Sequence, residues 1–374
     1  MSNRARHELS ENGFRSAGDG SAHQERLASL DGVRGAAALM VAAGHGVTGQ
    51  SDTIFGGEAQ MGVMLFFVLS GFLMGYLYLA RPFSMDVWVD YAVRRIFRVF
   101  PLFAVMLSLG ALAWAVFAWE LYDYPISVSQ WWGAITLREY VSVFWTVSVE
   151  MKFYVVFPVL CAMLWLLPSS GGRAAILAVG VGLAVFAPTP VPLIHLRGAI
   201  DFFLIGVLVS LFYLNRKVWL AWAPEKAWDT VLLIGLVLLV LSTPTFFLQI
   251  FYPDWDKPYP LAHVFFPWGH TAFYAPLAGM IVLAAAFDGR LARLIFANPP
   301  ACFLGRISYS LYLCHMPVLF GLSFLSVPAP VKSVLYFVLA VLASWTTYCV
   351  IERPARRFGY ALSSKITKLG QDGR

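Results

Sequence analysis

The stretch Leu30-Asp-Gly-Val-Arg34-Gly-Ala-Ala-Ala-Leu-Met-Val-Ala-Ala-Gly-His45-Gly-Val47 is apolar enough to enter a membrane, yet it carries an arginine and a histidine. The two are eleven positions apart. On a helix that spacing is close to three turns, so the side chains differ by only about 20° in direction and lie roughly 16 Å apart along the axis. They share a face. An ionisable group inside a bilayer is costly unless it lines a polar cavity or a protein interior, which makes this face a candidate site as well as a candidate packing surface.

The rest of the chain belongs to the same environment. Of 374 residues 59% are hydrophobic and only 13% charged, about half the charge of an ordinary soluble domain. The apolar runs are long and unbroken, which excludes a barrel of short alternating strands, and 13 Trp, 16 Tyr and 30 Phe suit interfacial belts and a packed bundle interior. Windows of about twenty apolar residues predict an all-α polytopic protein of about ten transmembrane helices, near 30–48, 60–80, 98–119, 142–167, 173–188, 197–214, 229–250, 269–287, 301–325 and 331–351. This gives three parts: a polar tail over 1–29, expected to be disordered, a membrane domain over 30–358, and a basic cytosolic tail over 359–374.

An even number of spans puts both termini on one side. Of the 27 lysines and arginines, 22 then fall on the side of the termini, four on the other, and Lys152 within a span. The positive-inside rule therefore predicts cytoplasmic termini and a multi-pass protein of the inner, cytoplasmic membrane. The net charge of +6 is read as this topological signal and as contact with lipid headgroups, with no nucleic acid as partner. Cys161, Cys302, Cys314 and Cys349 show neither a disulfide framework nor a zinc spacing, so no metal and no bound cofactor is expected.

Several further stretches could carry chemistry. The second span contains Phe67-Val-Leu-Ser70-Gly-Phe72, where small residues admit either a neighbouring helix or a thin acyl chain. Arg94-Arg95-Ile-Phe-Arg98 precedes the third span and offers planar guanidinium donors, suited either to a ligand's phosphates or to lipid headgroups. In Trp145-Thr-Val-Ser-Val-Glu150-Met-Lys-Phe-Tyr154, Glu150 and Tyr154 share a helical face. That carboxylate could orient a histidine, hold a sugar hydroxyl, or pair with Lys152 or Arg197. The ninth span presents a polar stripe, Arg306-Ile-Ser308-Tyr309-Ser310-Leu-Tyr312-Leu-Cys-His315, in which His315 is either part of the site or a packing residue beside Pro317. Glu352 closes the last span and is placed to neutralise Arg34 or one of the arginines at 94–98. Trp131, Trp132, Trp255 and Trp268 in outer loops suit sugar stacking or interfacial anchoring.

Taken in order, these motifs resemble the membrane-bound acyltransferase 3 family: Leu-Asp-Gly-x-Arg-Gly, Arg34-x10-His45, Phe-x-Leu-Ser-Gly-Phe, Arg-Arg-x-x-Arg, Ser-x-Glu-x-x-Phe-Tyr, Leu-Gly-x-x-Ser-Tyr-x-x-Tyr-Leu-x-His and a closing Glu352-Arg-Pro354. The likeness runs from about residue 27 to 358. It implies transfer of an acyl group, usually acetyl, from cytosolic acyl-coenzyme A as co-substrate to a hydroxyl of a glycan such as an exopolysaccharide or lipopolysaccharide unit. By the same resemblance His45, Arg34 and Glu150 are the catalytic candidates, Arg94, Arg95, Arg98, Ser70 and Glu352 face the donor, and Tyr154 and Trp145 face the acceptor. Cys314 departs from the aromatic residue common before the histidine. Some members continue into an extracytoplasmic domain, so this chain is expected to act alone or with separate polysaccharide-assembly proteins. Two alternatives carry different expectations: acylation of a small molecule such as a macrolide or signalling oligosaccharide, and a transporter whose intramembrane Arg and His line a path.

Overall fold

The computed structural model describes residues 27–46, 56–167, 169–186, 195–219, 222–242 and 271–372. Among these the secondary structure is helical, without strands. The elements are α1 (Ala28–Gly46), α2 (Gly56–Tyr78), α3 (Met85–Phe117), α4 (Val128–Ile135), a 3₁₀ turn (Ser142–Phe144) leading into α5 (Trp145–Trp165), α6 (Ser170–Phe186), α7 (Leu196–Leu214), α8 (Arg216–Trp219), α9 (Glu225–Ser242), α10 (Thr271–Ala286), α11 (Arg290–Phe296), α12 (Pro299–Ser323) and α13 (Ala329–Thr347). The last passes through a π turn (Tyr348–Glu352) into α14 (Arg353–Asp372).

Among the described residues each of the ten apolar windows overlaps a helix, and five helical segments are long and apolar enough to cross a membrane: Ala59–Tyr78, Met85–Phe117, Ser142–Trp165, Leu196–Leu214 and Ala329–Ile366. Helices α1 and α12 are not among them. The reason lies in their polar residues, Asp31, Arg34 and His45 on one and Arg306, Ser308, Ser310 and His315 on the other. These two helices pack against each other, and α1 packs also on α2, α10 and α11. A helix surrounded by protein can keep polar groups that a lipid-facing one cannot.

Glycine at the contacts lets the backbones approach. A Cβ on Gly305 of α12 would lie 1.9 Å from the Asp31 carbonyl oxygen of α1, and a Cβ on Gly71 of α2 or Gly206 of α7 would lie 2.1 Å from the carbonyl oxygens of Phe203 or Val68. Small residues are what allow such close packing between helices in lipid. Around the α2–α7 contact sits an aromatic core, with Phe153 of α5 stacked on Phe203 of α7 at 4.1 Å between ring centroids and Phe72, Phe157 and Phe202 fully enclosed. Helix α12 starts where Asn298 accepts the Ala301 amide at 2.9 Å and Pro299 occupies the first turn, an N-terminus written in the sequence.

Two elements differ from expectation. Helix α3 begins at Met85 rather than near 98, and its 33 residues reach about 50 Å, beyond the roughly 30 Å of a hydrocarbon core. Its first turns extend ahead of the predicted apolar window and carry Arg94 and Arg95, with Arg98 at the window's edge. Residues 353–372, read as mostly tail, form α14, which lies along that extension. Phe358 meets Phe97 at 5.2 Å, the Arg94 guanidinium lies over the Tyr360 ring at 4.7 Å, and Ser363 donates to Asp90. The helix thus turns Gly359 and Ser363 onto α3 and leaves Phe358 and Ile366 exposed. At the other end α1 begins at Ala28, and the predicted tail up to residue 26 lies outside the described residues, as do Trp255 and Trp268.

Candidate functional site

A cavity of about 60 Å³ opens between α1, α2, α3, α5 and α12. Its polar lining is Arg34, Ser70, Arg98, Thr146, Glu150, Ser308, Tyr309 and Tyr312, and Val63, Phe66, Phe67, Leu69, Val99 and Val147 complete it. Two guanidinium groups against one carboxylate leave this lining with a positive balance.

Each polar group is held by its own element. Arg34 pairs with Asp31 one turn earlier at 3.8 Å. Glu150 accepts from the Ser70 hydroxyl and, at 2.6 Å, from the Tyr154 hydroxyl, so a single carboxylate ties α2 to α5. Lys152 donates instead to Tyr140 at 2.7 Å, which corrects the ion pair considered for Glu150. Tyr309 and Tyr312 on α12 donate at 2.8 Å to the carbonyls of Val99 and Val143, anchoring the polar stripe to α3 and to the 3₁₀ turn. In Ser70-Gly71 the two readings of the small-residue motif separate: Gly71 serves the helix contact and Ser70 faces the cavity.

The three arginines at 94–98 do not act as one cluster. Arg98 lines the cavity. Arg95 is buried, its guanidinium carbon 5.7–6.0 Å from the rings of Tyr78, Tyr91 and Tyr154, and its Nε has no hydrogen-bond partner among the described residues. Arg94 pairs with Asp90, which also lies 3.8 Å from Arg81. Glu352 neither pairs with Arg34 nor with this group. It sits buried at the π turn, accepts from Ser310 at 2.7 Å and pairs with Arg356 at 3.5 Å, because the wider turn brings it inward while Arg356 follows one turn later. Single π turns often mark functional positions in helices.

Trp145 is half-buried against Phe67 at 6.0 Å between ring centroids and is not in the lining, although its neighbours Thr146 and Val147 are. His45 also lies outside the lining. Its ring faces that of His315, with centroids 5.3 Å apart and the planes inclined by 32°. His315 is fully buried and its ring is 5.9 Å from that of Tyr312, so a line of rings runs from the cavity wall to His45. The sequence placed His315 in a polar stripe without separating site from packing. Its partner lies 270 residues earlier, and no spacing rule connects the two.

Residues 27–349 match the model of a family described as an acyltransferase domain. A Bacillus subtilis protein named "Putative peptidoglycan O-acetyltransferase" is 24% identical over 92% of this chain and 57% of its own length. A Staphylococcus aureus protein named "Putative O-acetyltransferase" is 24% identical over 89% of this chain and 58% of its own length. A Caenorhabditis elegans protein named "Regulator of hypoxia-inducible factor 1" is 23% identical over 85% of this chain and 72% of its own length. The chain therefore spans little more than half of the two bacterial relatives. No solved structure matches it.

Proposed function

The chain belongs to the acyltransferase 3 family, and from that membership we propose that it is a membrane O-acyltransferase that moves an acyl group, most simply acetyl, from cytosolic acyl-coenzyme A to a hydroxyl of a cell-surface or exported glycan. The observation that carries this reading is the cavity in which Arg34 and Arg98 stand beside Ser70 and Glu150 at the centre of a helical bundle. Guanidinium groups suit the phosphates of such a donor, and an apolar remainder suits its thioester arm. The name of the Bacillus subtilis relative, which includes peptidoglycan, supports a glycan acceptor.

In this reading ten spans cross the inner membrane with both termini in the cytoplasm. Arg34 sits towards the cytosolic end of α1 and His45 deeper. The His45 imidazole removes the acceptor hydroxyl proton as the oxygen attacks the thioester carbonyl. The C–S bond then breaks, and the coenzyme A thiolate takes up the proton held by the imidazolium. In the alternative order the imidazole nitrogen itself attacks the thioester carbonyl and expels the coenzyme A thiolate, and the acyl-imidazole then passes its acyl group to the hydroxyl, whose proton goes to the thiolate. Glu150 holds Ser70 and Tyr154 in place at the cavity wall, with Tyr154 and Trp145 towards the acceptor. Arg94 and Arg95 support Arg98 from outside the cavity, and Glu352 anchors α12 to the start of α14.

The experiment is release of free coenzyme A from acetyl-coenzyme A by the purified protein in nanodiscs. Wild type is expected to turn over, and His45→Ala and Arg34→Ala to lose activity by at least about 100-fold with unchanged helical content. Full activity in His45→Ala would remove both routes. No turnover by folded wild type with a range of acyl donors would favour a transporter.

A further inference from the structure

Nothing in the proposed chemistry uses His315, yet it is the most completely enclosed ionisable side chain near His45. Its Nδ1 lies 3.3 Å from the Leu311 carbonyl oxygen, one turn back on α12. A carbonyl can only accept, so Nδ1 carries the hydrogen and Nε2 is left with a lone pair. That Nε2 is buried and has no partner among the described residues. An orphaned acceptor in a protein interior is costly and calls for an explanation.

The partner in place is the His45 ring. Two imidazoles joined by an N–H···N bond of about 3 Å have ring centres slightly more than 5 Å apart, and these are 5.3 Å apart. We propose that His315 is a positioning residue for His45: its Nε2 accepts the N–H of the half-buried His45 ring after a small rotation of that ring. This fixes the tautomer in which the other His45 nitrogen is unprotonated and free to act. The inference rests on His45 being the base or nucleophile of the transferase.

The test compares His315→Phe, His315→Gln and His315→Asn with wild type in the full chain. Phenylalanine keeps a ring but no acceptor, glutamine restores an acceptor near the Nε2 position, and asparagine falls short of it. The Phe variant is expected to lower kcat for coenzyme A release about 100-fold with KM for acetyl-coenzyme A nearly unchanged, Gln to recover most of the loss, and Asn not to. A structural role predicts the reverse order, with Phe near wild type; that order, or Asn equal to Gln, overturns the proposal. Nitrogen-15 shifts of the His45 ring give a readout that needs no turnover. One tautomer in wild type and Gln against a mixture in Phe is expected, and the same populations in all overturn it. If His45→Ala stays active while the tautomer still follows His315, the transferase reading has failed and the pairing has not.

Discussion

At the scale of single residues, the site is organised by acceptors shared between helices. The Glu150 carboxylate collects two hydroxyl donors, Ser70 and Tyr154, and hydrogen bonds to a charged acceptor contribute about 1.5–3 kcal/mol each. Glu150→Gln is expected to lower coenzyme A release at least about tenfold, since 1.4 kcal/mol is a factor of ten. Lys152→Met is expected to leave it nearly unchanged, because Lys152 bonds Tyr140 instead; the two variants in one turnover assay check both statements. Glu352 is the second shared acceptor, and Glu352→Gln weakens its contacts with Ser310 and Arg356 together. Its melting temperature in detergent should fall, reflecting a loss of about 1–3 kcal/mol. Glu150 and Tyr154 were legible as neighbours because an interval of four residues puts them on one helical face. The Ser70 contact was not, because it joins two helices eighty residues apart.

Among elements, the helices that build the site are held by close backbone contacts rather than by apolar area alone. Lipid chains are as apolar as the side chains they replace, so helix association in a bilayer depends on fit. At Gly206 even a methyl group meets the Val68 carbonyl oxygen of α2 at 2.1 Å, whereas at Gly180 on α6 nothing lies within 4 Å. Gly206→Val is expected to abolish the folded protein, seen as loss of a monodisperse peak in detergent chromatography, and Gly180→Ala to be neutral or to stabilise by up to about 1 kcal/mol through helix propensity. Both glycines are alike in the sequence. Their difference comes from α2 and α7 crossing at this point while α6 stays open there. The docking of α14 on α3 is of the same kind: residues 359–374 read only as a basic tail, and the surface that receives them was visible only once Phe97 and Asp90 stood opposite.

For the whole molecule, the asymmetry of 22 to four basic residues orients the proposed topology, and the orientation decides which end of the cavity meets a cytosolic donor. Fusion of a fluorescent protein and, separately, of alkaline phosphatase after Arg374 checks this. Fluorescence with an inactive phosphatase is expected, and an active phosphatase would invert the bundle and place Arg34 on the side away from cytosolic coenzyme A. The polar helices α1 and α12 pack on each other, and the polar residues that keep them out of the five long apolar helices are those of the site they carry.

The sequence by itself determined the helical class, the apolar segments and the family, because apolar run length, periodicity and motif spacing are all local along the chain. It also determined that Arg34 and His45 share a face of one helix. Only the tertiary structure decided that Arg98 enters the cavity while Arg95 turns into a cage of tyrosines, that Glu352 accepts from Ser310, and that His45 meets His315. These choices depend on which helices cross, at what depth and through which glycines. Such contacts join residues far apart in the chain, and no local pattern encodes the distance between them.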